Sequence, residues 1–436
     1  MTTQESPVAS LAQESPVASL AQESPVASLA QESPVASLAQ ESPVASLAQE
    51  SPVASLAQES PVASLAPTTV VGTELAQQEA QPLSDIGYGS EVAHSASCVV
   101  VDEEVRYISR LDSGVEILPI ADALKQYPWV QDLMFSLIAP DFDDEVREAA
   151  ETPHHPIGHF IWVKDGYQVE LPLQSFTLLA TPQQRQFIHN ITVIGENSSL
   201  TMVSGATVEP NVRTGHHISI SETFLRPGAR CSSVSIERWG KDMVVNSYAA
   251  TQIGRGARDE TTTIAMSGLR DHRSRSVTYI DADGVSNDQS VYFAPRGTRR
   301  VMDQEINLTG DGASAESIAR MVTDGGDIVN NTTLRAEGHH VRGYLGCDGL
   351  KLTDAGELST TPGLVARTAD AQLSHEASIG MISADRVAYL MASGLAEDTA
   401  RALIVNGFLE LNTDLVPEAL RGDIAAMIAT AKSGAM

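Results

Sequence analysis

GARCSSVSIERWGKDMVVNSYAATQIGRGA, residues 228–257, holds two runs rich in Ser, Val, Ile and Ala, broken by Gly, Lys and Asp. Branched apolar residues alternating with small polar ones suit a pleated strand with one buried face, and the Gly and Asp between them supply turns. Similar runs lie on both sides, with HFIWV, ITVIG and HHISISETFL before it and ETTTIAMSGL, SVTYIDA and SVYFA after it. The Gly-Ala that opens the stretch also closes it. Gly228, Gly256, Gly284 and Gly312 stand 28 residues apart, three of them followed by Ala. A glycine returning at a period of about 20–50 residues marks stacked repeats with a turn at one place in each. The chain therefore reads as mainly β, with a parallel β-helix or related β-solenoid over 156–382.

Downstream, over 383–436, the pattern turns helical. SADRVAYLMASG offers Ser383 as an N-cap and Gly394 as a stop, and AEDTARALIVNGFLE sets Glu397 and Asp398 in a first turn. Val387, Leu390 and Met391 form one apolar face and Ala400, Leu403, Ile404 and Phe408 another, with a third helix expected over 417–432. Upstream, 98–155 reads as an N-terminal helical subdomain that gives this end of the fold an α/β character. Ile120, Leu124, Tyr127, Val130, Leu133, Met134 and Leu137 fall at helical spacing, and Pro128 opens a second helix. Residues 1–97 begin with seven copies of QESPVASLA, over 4–66. A proline in every copy breaks helix, and one Leu and one Val per copy bury too little to offset ordering entropy. The expectation is a disordered acidic tail, continued by a linker over 67–97; the alternative, a solenoid, lacks the Gly-Asp words of calcium-binding repeats.

The formal net charge of −28 argues against nucleic acid, whose phosphates need clustered Lys and Arg. Half of it sits before Arg106, where 14 Asp and Glu meet no Lys or Arg. Three cysteines in 436 residues make no disulfide framework, no apolar run reaches the length of a membrane span, and no basic segment leads into an apolar stretch. These features suggest a reducing cytoplasm. Cys98 and Cys231 read as small buried thiols. The chain has no G-x-x-x-x-G-K-[ST] loop for nucleotide phosphates.

Chemistry concentrates in GYLGCDGLKLTDAGELSTTPGLVARTADAQLSHEASIGMI, residues 343–382, which holds Cys347, His375 and Glu376. Thiolate and imidazole suit zinc or iron-sulfur clusters. Cys347 and His375 are 28 residues apart, too far for a zinc knuckle, so the fold or a second subunit must bring them together. On a strand the adjacent His375 and Glu376 point to opposite faces. His154/His155, His216/His217 and His339/His340 are split in the same way, each pair reading as one solvated and one packed ring. His339 and His340, near Cys347 in sequence, are candidates for lining a cavity.

The words GCDGL around Cys347, SHEASIG around His375 and the following ISADRVAYLMASGLAEDTARALIVNGF resemble the C-terminal signature of the SufB/SufD family of iron-sulfur cluster assembly scaffolds. ALKQYPWVQDL, HHPIGHFIWVKDGYQVELPLQ and GHHISISETFL extend the resemblance over roughly 118–408. It implies a right-handed parallel β-helix core, a C-terminal helical region that docks a SufC-like ABC ATPase, and a non-enzymatic scaffold acting in a SUF complex. Cys347 would carry persulfide sulfur or iron, and it would meet His375 of another subunit in a homodimer or of a SufB/SufD paralogue. The cluster would be transient and passed on to apo iron-sulfur proteins, and no nucleotide would bind this chain. One departure stands out: where sulfur-accepting members have a GCT word, this chain has Ser204-Gly205-Ala206-Thr207. Ala206 carries no persulfide, so sulfur enters by another route or the chain is not the sulfur-accepting subunit. The alternative reading is a SufD-like accessory subunit that stabilises the complex without nucleating a cluster. A third is a β-helix polysaccharide lyase or hydrolase, which would need clustered carboxylates or basic groups along one face.

Overall fold

Side chains on successive strand positions face opposite ways, so a strand stacked in a coil offers one row to the interior and one to the outside. The computed structural model, which describes residues 69–72, 75–89, 94–151 and 156–409, is built on that rule. The QESPVASLA repeats, His154 and His155, and the helix expected over 417–432 lie outside the described residues. Strands β1 (Thr69–Gly72), β2 (Ala96–Val101), β3 (Glu104–Arg110) and β4 (Val115–Pro119) come first, with helix α1 (Gln77–Ser84) between β1 and β2. Helices α2 (Ile120–Gln126), α3 (Pro128–Gln131) and α4 (Asp144–Glu151) follow.

The coil then runs through β5 (His159–Val163), β6 (Leu173–Leu179), β7 (Arg185–Ile194), β8 (Ser199–Val208), β9 (His216–Leu225), β10 (Arg230–Arg238), β11 (Val244–Ile253) and β12 (Arg258–Ala265). It continues through β13 (Asp271–Ile280), β14 (Val285–Pro295), β15 (Arg299–Leu308), β16 (Ser314–Asp324), β17 (Asp327–Ala336), β18 (Arg342–Lys351), β19 (Leu358–Ala366) and β20 (Gln372–Met381). Helices α5 (Ala384–Ala392) and α6 (Glu397–Phe408) close the described chain.

From β5 onward strands alternate between two sheets, so each turn contributes one strand to each. One sheet runs β1-β3-β2-β6-β8-β10-β12-β14-β16-β18-β20 and the other β4-β5-β7-β9-β11-β13-β15-β17-β19. Neighbours within the coil are parallel, as in Arg230↔Arg258 and Val244↔Asp271. The result is a β-solenoid of about 8 turns. At its first end the pairings β2–β3, β1–β3 and β4–β5 are antiparallel.

Two features set the register. Ile194, Leu225, Ile253, Ile280, Leu308 and Ala336 pair in one line along the second sheet, all at most 2% exposed, forming an aliphatic ladder inside the coil. Beside it seven successive turns pass one residue through positive φ: Gly166 (69°), Asn197 (54°), Gly228 (70°), Gly256 (65°), Asp283 (57°), Gly312 (72°) and His340 (56°). The N–H of Gly228, Gly256, Asp283 and Gly312 donates to the carbonyl of Arg255, Ala282, Asp311 and His339 in the next turn, at 2.8–2.9 Å. Gly228, Gly256 and Gly312 thus hold the corner expected of them, but Gly284 does not. The turn joining Arg258 to Val285 spans 27 residues and the next, Val285 to Ser314, spans 29, which puts Asp283 at the corner instead. An Asp tolerates that left-handed backbone better than most residues.

Ordered structure begins earlier than the boundary at 97, since β1 pairs with β3, and Leu83 of α1 and Ile86 in the turn after it pack with Phe176 and Leu178 on the outside of the first sheet. The segment 98–155, expected to be helical, supplies three strands before its helices. Its helical part lies on the outer face of the second sheet, where Ile120, Ala123 and Val130 meet Phe160, Ile191 and Phe224. The buried Glu222 carboxylate accepts from the backbone N–H of Phe135, Leu137 and Ile138 and pairs with His189 at 2.9 Å. Pro128 does open a second helix, and Ser383 caps α5 by accepting from Arg386 N–H. Val387 and Ala400 are buried as expected, whereas Leu403 is 52% exposed.

Candidate functional site

Strands β19 and β20 are the last of their sheets, and no described strand pairs beyond them. Among the described residues the coil therefore ends in an open mouth. Cys347 stands one turn below it, on β18, its ladder neighbours being Ala319 and Ala377. The side chain faces inward, 2% exposed, among Met302, Met321, Ile328 and Leu358. Asn330 on β17 reaches across the coil, and its Nδ2 donates to Cys347 Sγ at 3.7 Å and lies 3.4 Å from Thr360 Oγ1 on β19. Burial pushes the Cys347 thiol up, Thr360 and Asn330 pull it down through hydrogen bonds, and Asp348 adds to the rise.

His375 lies on the rim. It pairs with Leu345 and shares the inward-turned face of β20 with Leu373, which packs on the interior cluster. Cys347 and His375 thus share one sheet face, two ladder steps apart, a diagonal whose Cα atoms are about 7–8 Å apart in sheets generally. The thiol is buried and the imidazole exposed. Glu376 is not brought to them: it pairs with Gly346 on the outer face, where Tyr344 OH donates to its Oε2 at 3.4 Å. Among the described residues no three His, Cys, Asp or Glu side chains gather as a metal site. Within one chain Cys347 and His375 are a partial donor set.

His339 and His340 do not line a cavity. They form the outer corner of the turn, 64% and 81% exposed at their side chains, and both Nδ1 atoms approach the Asp370 carboxylate at 3.1–3.3 Å. The left-handed backbone at His340 is the reason, because it continues the corner occupied by glycine in other turns. His216 is half-buried against Asn246, and His217 is buried against Gln186 and Trp239. Cys98 and Cys231 are buried, and burial raises the Cys98 thiol to about 12.

The interior holds a cavity of about 360 Å³ lined mostly by Ser, Thr and other polar side chains with a few apolar ones between them, from His159 and Ser175 in the first turn to Ala319 and Asn330 beneath the mouth. Gly205 and Ala206 are part of its wall. Neither the cavity nor the Asn330–Cys347 contact was found from sequence. The signal available was the inward-facing Ser and Thr of SVSIER, TTTIA and SVTYI, which strand alternation alone assigns to solvent.

Fold and site together define a β-solenoid carrying a buried thiol beneath an open end. Residues 177–408 match the family described as SUF system FeS cluster assembly, SufBD core domain, and the chain belongs to that family. It is 31% identical over 331 residues to an iron-sulfur cluster assembly SufBD family protein of Archaeoglobus fulgidus, covering 76% of this chain and 89% of the relative. A SufBD family protein of Methanothermobacter thermautotrophicus is 27% identical over 360 residues, 81% and 88% of the two chains. The iron-sulfur cluster assembly protein SufB of Bacillus subtilis is 23% identical over 287 residues, 60% and 57%.

Proposed function

We propose that this chain is a non-enzymatic scaffold on which an iron-sulfur cluster is assembled at the mouth of the solenoid, between two copies or between this chain and a paralogue. The observation that carries the reading is the position of Cys347, a thiol one turn below an open rim that bears an exposed imidazole, in a chain of the SufBD family. Iron and sulfur are the cargo. A thiolate and an imidazole from one chain leave coordination positions open, and a second rim supplies donors to complete the set. The rim is also apolar, with Leu364, Ile379 and Met381 at 37–49% exposure, which suits burial against another rim.

The Cys347 thiol is closed off, so taking up cargo requires the last turn to open. A SufC-like ATPase docked on α5 and α6 is the partner we assign to that work, because the chain carries no phosphate-binding loop of its own. Exposed Tyr389, Met391 and Leu403 provide an apolar surface for it. The proposed setting is the cytoplasm; no described helix is long and apolar enough to cross a membrane.

Anaerobic reconstitution of the full chain with ferrous iron and sulfide tests this. Wild type is expected to retain both and to absorb in the visible. Cys347→Ser is expected to lose the absorbance and most of both elements, while Cys98→Ser and Cys231→Ser retain them. Equal iron and sulfide in Cys347→Ser and wild type would refute the assignment. Ala206 favours a second reading, an accessory subunit that does not nucleate a cluster; a colourless wild-type chain that gains a cluster only with a paralogue would select it.

A further inference from the structure

We propose that Asn330 is a positioning residue for Cys347, holding the sulfur on the interior side of β18 with a side-chain N–H while Thr360 completes the cradle from the last turn. The inference rests on the reading of Cys347 as the residue that takes up cargo, and it concerns what prepares that sulfur. Asn330 is 4% exposed and on the opposite sheet from the thiol. Its Nδ2 lies 3.7 Å from Cys347 Sγ, 3.4 Å from Thr360 Oγ1 and 3.4 Å from Thr332 Oγ1. A buried amide costs free energy unless it is hydrogen-bonded, so its place here needs a reason.

Interior neighbours supply that reason by contrast. In the register of the second sheet Asn330 follows Met302 and precedes Thr360, while one pair of positions earlier the line is Arg300 and Ile328. The Cys347 surroundings are otherwise Met302, Met321, Ile328 and Leu358, which offer sulfur no donor. Asn330 and Thr360 are thus the polar groups that cross the coil to the thiol, and Asn330 also walls the upper end of the interior cavity. A donor aimed at sulfur fixes the side-chain rotamer and stabilises electron density there, as hydrogen bonds around cluster-ligating sulfurs do. Thr360 contributes from a half-buried position on the terminal strand, so the cradle changes when that turn moves.

Thr and Val are nearly the same shape and both suit a strand, so they separate the hydrogen bond from packing. In the full-length apo protein, iodoacetamide labelling of Cys347 is followed by peptide mass, with Cys98 and Cys231 as internal controls. Because the thiol is reached only when the last turn opens, losing a bond that holds it in the closed state is expected to speed labelling of Cys347 about tenfold in Asn330→Val, the equivalent of about one hydrogen bond. Asn330→Thr is expected to return it to within about threefold of wild type, with both controls unchanged. Thr360→Val, on the edge turn, is expected to act in the same direction and serves if the Asn330 variants do not fold. Wild-type labelling in Asn330→Val, or in Thr360→Val where that variant stands in, would overturn the proposal. The two readings fail separately: unchanged labelling alongside cluster loss in Cys347→Ser removes only the role of Asn330. Faster labelling alongside a Cys347→Ser protein that keeps its iron and sulfide removes only the cluster site.

Discussion

Asp259 sits inside the coil on β12, beside the cavity and next to Cys231 on β10. Burial, with Asp288 in the following turn, lifts its carboxyl from the ordinary 3.8 to about 7. In the folded chain it therefore holds a proton that the unfolded chain releases above pH 4. Its contribution is neutral below pH 3.8 and becomes unfavourable as pH rises toward 7, by about 1–3 kcal/mol at pH 8, where the cavity walls soften the cost. Asp259→Asn is expected to melt higher than wild type at pH 8, with the gap closing as pH falls to 4. A gap that does not vary with pH would show that charge is not the cause. Three buried imidazoles act with the opposite sign: burial pushes His159 and His217 down to about 4 and His272 to about 3. They stay neutral in the fold, so the stability they permit is intact above pH 6.5 and is lost as pH falls toward 4. Measuring variant against wild type cancels that common background. Of these, His217 was picked out from sequence as a member of a pair with one packed ring, whereas Asp259 and His272 were not, because a polar side chain on a strand looks solvated until the coil closes around it.

At the scale of elements, the aliphatic ladder through Ile194, Leu225, Ile253, Ile280, Leu308 and Ala336 keeps successive turns in register. Removing Leu308 beyond Cβ opens a gap between Ile280 and Ala336 that the rigid stack fills poorly. Leu308→Ala is expected to cost about 2–5 kcal/mol, against roughly 0.5 kcal/mol or less for Leu403→Ala on the exposed face of α6. Equal losses in urea unfolding would contradict the ladder's role. The ladder was legible in principle, as an aliphatic residue closing each alternating run. Glycine drew attention first because its interval is constant, and that constancy misplaced one turn: the corner is set by backbone conformation, which Asp283 also adopts. Caps and breakers were read correctly at Ser383, Gly394 and Pro128, where a single side chain decides the local geometry. Within 98–155 an α/β character was legible but no strand positions were: β2 and β3 form a local hairpin, while Ala96 also pairs with Leu173 and Val115 with Val163, far along the chain.

For the molecule as a whole, the two ends of the solenoid differ. The first continues into antiparallel strands, β3 and β1 beyond β2 and β4 beyond β5, while the last leaves β19 and β20 with an unpaired edge and an apolar rim among the described residues. Such an edge is a ready template for another chain. Sequence pointed to Cys347 and His375 as the pair that matters, and strand alternation alone separated His375 from Glu376. The depth of the thiol and the shared sheet face needed the coil. Because His375 stands on the rim and Cys347 one turn beneath it on the same sheet face, a site within one chain and a site across two rims make different demands, and mixing distinguishes them. Cys347→Ser and His375→Ala chains, each unable to hold a cluster alone, are to be unfolded together, refolded as mixed dimers and reconstituted with iron and sulfide. In a mixed dimer one seam pairs an intact Cys347 with an intact His375 from the other chain, so the account expects about half the wild-type iron and sulfide per mixed dimer. No recovery above either variant alone would contradict a cluster built across the seam.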